Sequence, residues 1–245
     1  ICPSFDTGVV SYTLRPDGTY AASKGPAIDT AESVKVYATY KGVAVTAIPE
    51  NGFYDCDNMK HISIPDTIQL IGTGAFNSCN YLESFDVYAV ETATPHEVVY
   101  FSDDGALLYY DEASDATYLE VFPRGKTGHY KMSDEVDIIR NLAFDTVSIS
   151  SIEISKNVSL IVQKAFYNCK SLESVSFAFE GTTPLTLEAG AFTACTSIKV
   201  LVLPSRMNAL ASMRELDILT KLEKIDIEEG NQHYSAVDGM LCDSL

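Results

Sequence analysis

Apolar residues recur along this chain at fixed offsets from a set of phenylalanines, at +3, +6, +9 and +11, with polar residues between them. From Phe53 they are Cys56, Met59, Ile62 and Ile64, and from Phe76 they are Cys79, Leu82, Phe85 and Val87. The copies at Phe166 (Cys169, Leu172, Val175, Phe177) and Phe192 (Cys195, Ile198, Leu201, Leu203) keep the same register. The closing apolar-polar-apolar triplets, such as Ile62-Ser63-Ile64, Ile152-Glu153-Ile154 and Ile225-Asp226-Ile227, alternate with period two. That alternation is the signal of a short strand with one face buried. The Ala-Phe-x-x-Cys segment, spaced i, i+3, reads as a single helical or 3₁₀ turn that drops Phe and Cys inward. An Ile stands five residues before several of the phenylalanines.

Neighbouring copies are 22 to 26 residues apart, as at Phe144, Phe166 and Phe192. A unit that short cannot bury its own apolar face, so the copies must stack into a solenoid with a continuous core, one strand per rung in a parallel sheet. The Phe144 copy is degenerate: Val147 stands at the Cys position, and one residue is missing before Ile152 and Ile154. A last copy is recognisable by Leu216, Leu219, Leu222, Ile225 and Ile227. Pro65 and Pro204 directly follow their strands, where a missing N–H ends the ladder at no interior cost.

These residues resemble the BspA-like leucine-rich repeats, whose consensus runs Ile-x-Ile-Pro, then Ile-Gly-x-x-Ala-Phe, then x-x-Cys-x-x-Leu. The match runs from Ile64-Pro65 through Ile71-Gly72-Thr73-Gly74-Ala75-Phe76 to Cys79 and Leu82, and the resemblance covers about residues 34 to 245. It implies an α/β fold: a leucine-rich-repeat-like right-handed solenoid, β-rich with short helical turns. It also implies a bacterial surface or secreted protein associated with adhesion to host or matrix proteins.

Residues 1–33 read as an N-terminal β-hairpin cap and a loop, and 34–245 as the solenoid, in one continuous domain. Within the cap, the strands Val9–Leu14 and Thr19–Ala21 flank a turn at Gly18, and a solenoid needs its first rung covered. Between Phe76 and Phe144 no Phe-x-x-Cys occurs; Tyr100 to Tyr109 and Tyr118 to Pro123 instead predict a rung that carries a β-hairpin. His233 to Cys242 repeats the start of that variant, as expected if a longer parent chain continues with further rungs. Thr92-Ala93-Thr94-Pro95 and Gly181-Thr182-Thr183-Pro184 read as loop insertions.

The chain has 245 residues, 46% of them hydrophobic, and a formal net charge of −17. That balance argues against nucleic acid and anionic lipid, whose binding requires Lys and Arg to neutralise negative charge. There is no apolar run of 18 residues, so no membrane insertion is expected. The chain opens at Ile1 rather than Met, as it would if an N-terminal segment had been removed, so the missing signal peptide says nothing against secretion. Of six cysteines, Cys56, Cys79, Cys169 and Cys195 share the inward repeat position and are expected buried and reduced; Cys2 and Cys242 lie outside it. Whole-rung spacing is unsuited to tetrahedral zinc.

Sequence motifs for catalysis are missing. Gly125-Lys126-Thr127 has Glu120 where a phosphate loop needs its first glycine, and His96-Glu97 lacks the second His of a zinc-protease helix. No Gly-x-Ser-x-Gly elbow occurs. Asp55, Asp57 and Asn58, like Asp103 and Asp104, lack the ligand alternation of a calcium loop. His61 and His129 align just before a strand, as surface residues. The expectation is therefore no catalytic residue, no cofactor and no metal ligand: a protein-binding scaffold that is not an enzyme. Its candidate face is the outward row of the sheet, Ser63, Asp86, Lys131, Glu153, Ser176, Val202 and Asp226, spaced about 4.8 Å from rung to rung. Ser84, Ser151, Ser174, Val200 and Lys224 flank it, with Val200 and Val202 making it locally apolar. The alternative is a structural spacer that presents another part of a longer chain.

Overall fold

A computed structural model describes residues 8–91, 98–178, 181–210, 219–237 and 240–243. The expected loop at Thr92–Pro95, together with Cys2, His96 and Leu216, lies outside the described residues. The chain packs as two compact units, 1–115 with 123–125, and 116–122 with 126–245.

In the first unit the strands are β1 (Val10–Leu14), β2 (Tyr20–Lys24), β3 (Ser33–Lys35), β4 (Thr39–Tyr40), β5 (Val43–Ile48), β6 (His61–Pro65), β7 (Leu70–Ile71), β8 (Ser84–Tyr88), β9 (Val98–Asp103) and β10 (Ala106–Asp111). β1 and β2 form the expected antiparallel hairpin, Leu14 opposite Tyr20. β2 then pairs in parallel with β5, and β5 with β7, so the hairpin is built into the ladder it covers. A second parallel ladder runs β3-β6-β8. β9 and β10 form the expected hairpin, Asp103 opposite Ala106. Asp104 and Gly105 both have positive φ, 45° and 78°, the two-residue turn that matches strand twist.

The second unit contains β11 (Ala116–Val121), β12 (Thr127–Lys131), β13 (Ile138–Ile139), β14 (Ser148–Ile154), β15 (Leu160–Ile161), β16 (Ser174–Phe177), β17 (Leu185–Leu187), β18 (Val200–Leu203), β19 (Met207–Leu210), β20 (Lys224–Ile227), β21 (Tyr234–Val237) and β22 (Met240–Asp243). The strands with period-two alternation form one parallel ladder, β12-β14-β16-β18-β20. A second parallel ladder, β11-β13-β15-β17-β19, takes in the Ile (β13, β15) or Leu (β17) five residues before a Phe. Each full rung thus contributes two strands, not one. β21 and β22 form an antiparallel hairpin, as the likeness to the earlier variant predicts.

The fold is a β-solenoid, but the α/β label and the short helical turns are corrected: among the described residues the only helical segment is a 3₁₀ turn at Ile28–Thr30. The Ala-Phe-x-x-Cys segments are chains of β-turns, for instance Ala75 N–H to Gly72 O and Asn77 N–H to Gly74 O. Helix cannot propagate because the backbone turns left-handed two residues before and two after each Phe. The pairs are Asn51 and Asp55, Gly74 and Ser78, Leu142 and Thr146, Lys164 and Asn168, and Gly190 and Ala194. Alternating handedness aims every second N–H group to one side. In the Phe166 turn, Lys164, Phe166 and Asn168 donate to Gly190, Ala191 and Thr193 of the next rung, at 3.0, 2.9 and 2.8 Å. The rung-to-rung bonds that a helix would forfeit are thereby made.

Inside the turns the rings stack. Phe53 and Phe76 lie 5.8 Å apart with planes 5° from parallel in the first unit. In the second, Phe122–Phe144, Phe144–Phe166 and Phe166–Phe192 are 4.8, 4.6 and 5.0 Å apart. Cys56, Cys79, Cys169 and Cys195 are buried and free, as expected. They are more than fillers: the thiols of Cys79, Cys169 and Cys195 donate to the Phe carbonyl of the preceding rung at 3.0, 2.9 and 2.7 Å. A small side chain that also offers a donor suits a buried carbonyl better than Ala or Val. Burial pushes the Cys169 thiol well up, so it stays protonated.

Candidate functional site

The period-two strands set the outward row. Their inward partners are fully buried: Ile62, Ile64, Ile152, Ile154, Leu201 and Leu203 are at most 1% exposed. The residue between each pair must then face solvent.

In the first unit Ser63 lies opposite Asp86 in the ladder and donates its hydroxyl to Asp86 Oδ2 at 3.0 Å. In the second unit Lys131, Glu153 and Ser176 fall in register across β12, β14 and β16. Val202 and Asp226 are in register across β18 and β20. The proposed row is thus brought together as two stretches, one in each unit. His61 and His129 repeat one arrangement: the ring Nδ1 of each lies 2.8 Å from the hydroxyl of the next rung, Ser84 and Ser151 respectively.

Three ion pairs lie on or beside this ladder in the second unit. Lys131 Nζ is 2.9 Å from Glu153 Oε1, Lys199 Nζ is 2.9 Å from Glu173 Oε2, and Lys224 Nζ is 2.6 Å from Asp226 Oδ2. Two of these contacts favour charged forms: the bond from Lys199 holds the Glu173 carboxyl below its ordinary range, and Glu153 holds the Lys131 ammonium above its own. Between these pairs, Ser174, Ser176, Val200 and Val202 are half-buried and uncharged. A protein surface meeting this stretch finds small neutral side chains flanked by self-compensated charge.

Asp55, Asp57 and Asn58 line an open cleft of the first unit together with Lys24 and Asp29. The Asp57 carboxylate accepts from Asn80 Nδ2 at 3.1 Å, and Asn58 donates to the Asp29 carbonyl. Asp103 and Asp104 belong to the β9–β10 hairpin. Among the described residues no group of three His, Cys, Asp or Glu is placed to hold a metal ion. None of their helices is long and apolar enough to cross a membrane.

A surface the row does not include is the tyrosine cluster of the first unit, with Tyr12 and Tyr40 stacked at 4.6 Å. Its members come from separate strands and share no repeat position, so periodicity gave no sign of it.

The family profile described as BspA type leucine rich repeat region matches in 6 copies over residues 42–98 and 120–235. No curated protein matches the sequence. Among solved structures, the chain is similar to a leucine rich cell surface protein from Faecalibacterium prausnitzii, at 14% identity and a TM-score of 0.47, covering 93% of this chain and 95% of that one. It is also similar to a leucine-rich repeat protein from Bacteroides ovatus, at 21% identity and a TM-score of 0.48, covering 81% and 46%. The pneumococcal vaccine antigen PcpA is matched at 18% identity and a TM-score of 0.45, covering 96% and 52%.

Proposed function

The chain belongs to the BspA-type leucine-rich-repeat family, and from that membership we propose that it is a non-enzymatic protein-binding scaffold, extracellular or at a bacterial cell surface. Its partner is a host or matrix protein, held on the outward row of the sheet. One observation carries this reading. Inward positions and backbone groups are consumed by stacking, while Lys131, Glu153, Ser176, Val202 and Asp226 stand outward in ladder register without being needed for it. Extended repeat surfaces of this kind suit elongated protein partners.

The test is equilibrium binding to a panel of matrix and serum proteins at two salt concentrations, with a variant carrying Asp86→Lys, Glu153→Lys and Asp226→Lys. Glu153 and Asp226 are the acceptors of Lys131 and Lys224, so reversal sets like charges side by side at both positions. Saturable binding that disappears in the variant supports the reading. Binding that survives all three changes removes the row from it, and no binding by the folded chain shifts the interpretation to a structural spacer.

A further inference from the structure

A continuous chain of contacts crosses the tyrosine cluster of the first unit. The Lys41 ammonium lies 5.2 Å from the Tyr40 ring centre. Tyr40 stacks on Tyr12 at 4.6 Å and 14°, and meets Tyr20 edge-on at 5.0 Å. The Tyr12 hydroxyl accepts the Tyr37 N–H at 3.0 Å. Lys35 then lies 5.9 Å from the Tyr37 ring and 4.5 Å from the Tyr88 ring. Tyr88 donates its hydroxyl to the Val36 carbonyl at 2.7 Å.

Apolar surface is open beside this chain. Leu14 is 60% exposed, Tyr37 42% and Val43 37%. Leu14 lies opposite Tyr20, and Val43 opposite Tyr40, in their ladders. Tyrosine is among the side chains most enriched at the centres of protein interfaces, since it covers large area at little entropic cost.

Charge identifies the occupant. Asp and Glu number 34 in this chain against 17 Lys and Arg. Carboxylates therefore outnumber cations two to one, and Lys60, Lys131, Lys156, Lys199 and Lys224 each have one as a partner. Lys35 and Lys41 are exposed and have no carboxylate partner among the described residues; they rest on rings instead. Asp66 spends both carboxylate oxygens on the Val90 N–H at 3.1 Å each. Arg15, next to Leu14, is paired with Asp17 at 2.7 Å.

We infer that this face docks an acidic segment of a partner protein, its carboxylates on Lys35 and Lys41 and its apolar side chains over Tyr37, Tyr40, Leu14 and Val43. The surface shares no residue with the sheet row proposed above but adjoins its first-unit stretch, where Lys35 lies opposite Ser63.

The test uses the whole chain and a fluorescein-labelled peptide rich in Glu and Leu, read by fluorescence anisotropy. A Lys- and Leu-rich peptide and heparin serve as competing arms. The expected result is saturable binding of the acidic peptide that weakens as salt rises and falls at least about tenfold in the Lys35→Glu/Lys41→Glu variant. Tyr37→Ala should also weaken it, while Glu153→Lys/Asp226→Lys should leave it unchanged, which separates this surface from the second-unit stretch of the sheet row. Unaltered thermal unfolding of the lysine variant shows that the fold is intact. Equal binding by wild type and lysine variant overturns the inference, as does binding of heparin or of the basic peptide without the acidic one.

Discussion

Two substitutions in one turn should change stability in opposite directions, each against the ordinary preference of a helix. Ala194 has φ of 64° and Gly190 has φ of 73°, flanking Phe192. A non-glycine residue in the left-handed region costs about 1–2 kcal/mol. Ala194→Gly removes that cost, loses about 0.4–1 kcal/mol to the freer unfolded chain, and gives up a half-exposed methyl. The net expectation is a gain of about 0.5 kcal/mol. Gly190→Ala imposes the same left-handed cost and adds a Cβ only 2.9 Å from Thr193 Oγ1. After the unfolded-state compensation its net cost is about 1 kcal/mol or slightly more.

A helical turn would reverse both signs, because Ala is favoured over Gly by about 1 kcal/mol inside a helix. Thermal unfolding followed by far-UV circular dichroism decides the matter. For a chain of this size 1 kcal/mol corresponds to about 2–4 °C in Tm, so the two variants should differ by about 3–6 °C, with Ala194→Gly the more stable. An Ala194→Gly protein that melts below wild type while Gly190→Ala melts above it would refute the left-handed turns.

Further outcomes follow from the core and from one hydroxyl. Phe166, fully buried and stacked on both Phe144 and Phe192, should cost about 3–5 kcal/mol on change to Ala, measured by urea unfolding; a loss below about 1.5 kcal/mol would mean the stack relaxes around the gap. Cys169→Val deprives the Phe144 carbonyl of its thiol donor at 2.9 Å and should cost about 1 kcal/mol. The same change at Cys56, whose thiol is 3.9 Å from the Tyr54 carbonyl, should cost less, and equal losses would remove the thiol bond from the account. Burial pushes the Tyr88 hydroxyl up to about 12 from an ordinary 10. With the folded value raised, its contribution is fully present below pH 10 and lost as pH climbs toward 12. Ultraviolet titration of tyrosinate should show a late-titrating component that Tyr88→Phe removes, and an unchanged titration curve in that variant would contradict the assignment.

The first ladder was legible because its strands carry a buried pair around an outward residue, and three or four positions suffice to reveal period two. The second ladder was not, since Leu70–Ile71, Ile138–Ile139 and Leu160–Ile161 are strands of two residues, too short to show any period. Its one trace was the Ile five residues before Phe. The turns were misread for a different reason: i, i+3 spacing is common to a helical turn and to linked β-turns. What separates them is positive φ at residues such as Lys164 and Ala194, which residue type does not disclose. Of the candidate site, the outward row followed from alternation, and the aligned histidines are exposed as expected. The tyrosine cluster depends on contacts among residues 12, 37, 40 and 88, joined only by folding.

The two surfaces differ in how their charge is held, and this bears on what each can recognise. On the sheet row of the second unit the ion pairs are exposed, so they contribute little to stability. They do cancel one another locally, leaving a stretch near neutrality within a chain of net charge −17. Substitutions there cost the fold little, typically within about 0.5 kcal/mol for surface sites, so the row is free to suit a partner's shape. Binding to it should depend weakly on salt, because few uncompensated charges are available to steer an encounter. Lys35 and Lys41 are in the opposite position, two cations without carboxylate partners among the described residues, set against an acidic background. Binding there should weaken steeply as salt rises. A partner held by both surfaces would show one salt-sensitive and one salt-insensitive component, each removed by its own variant.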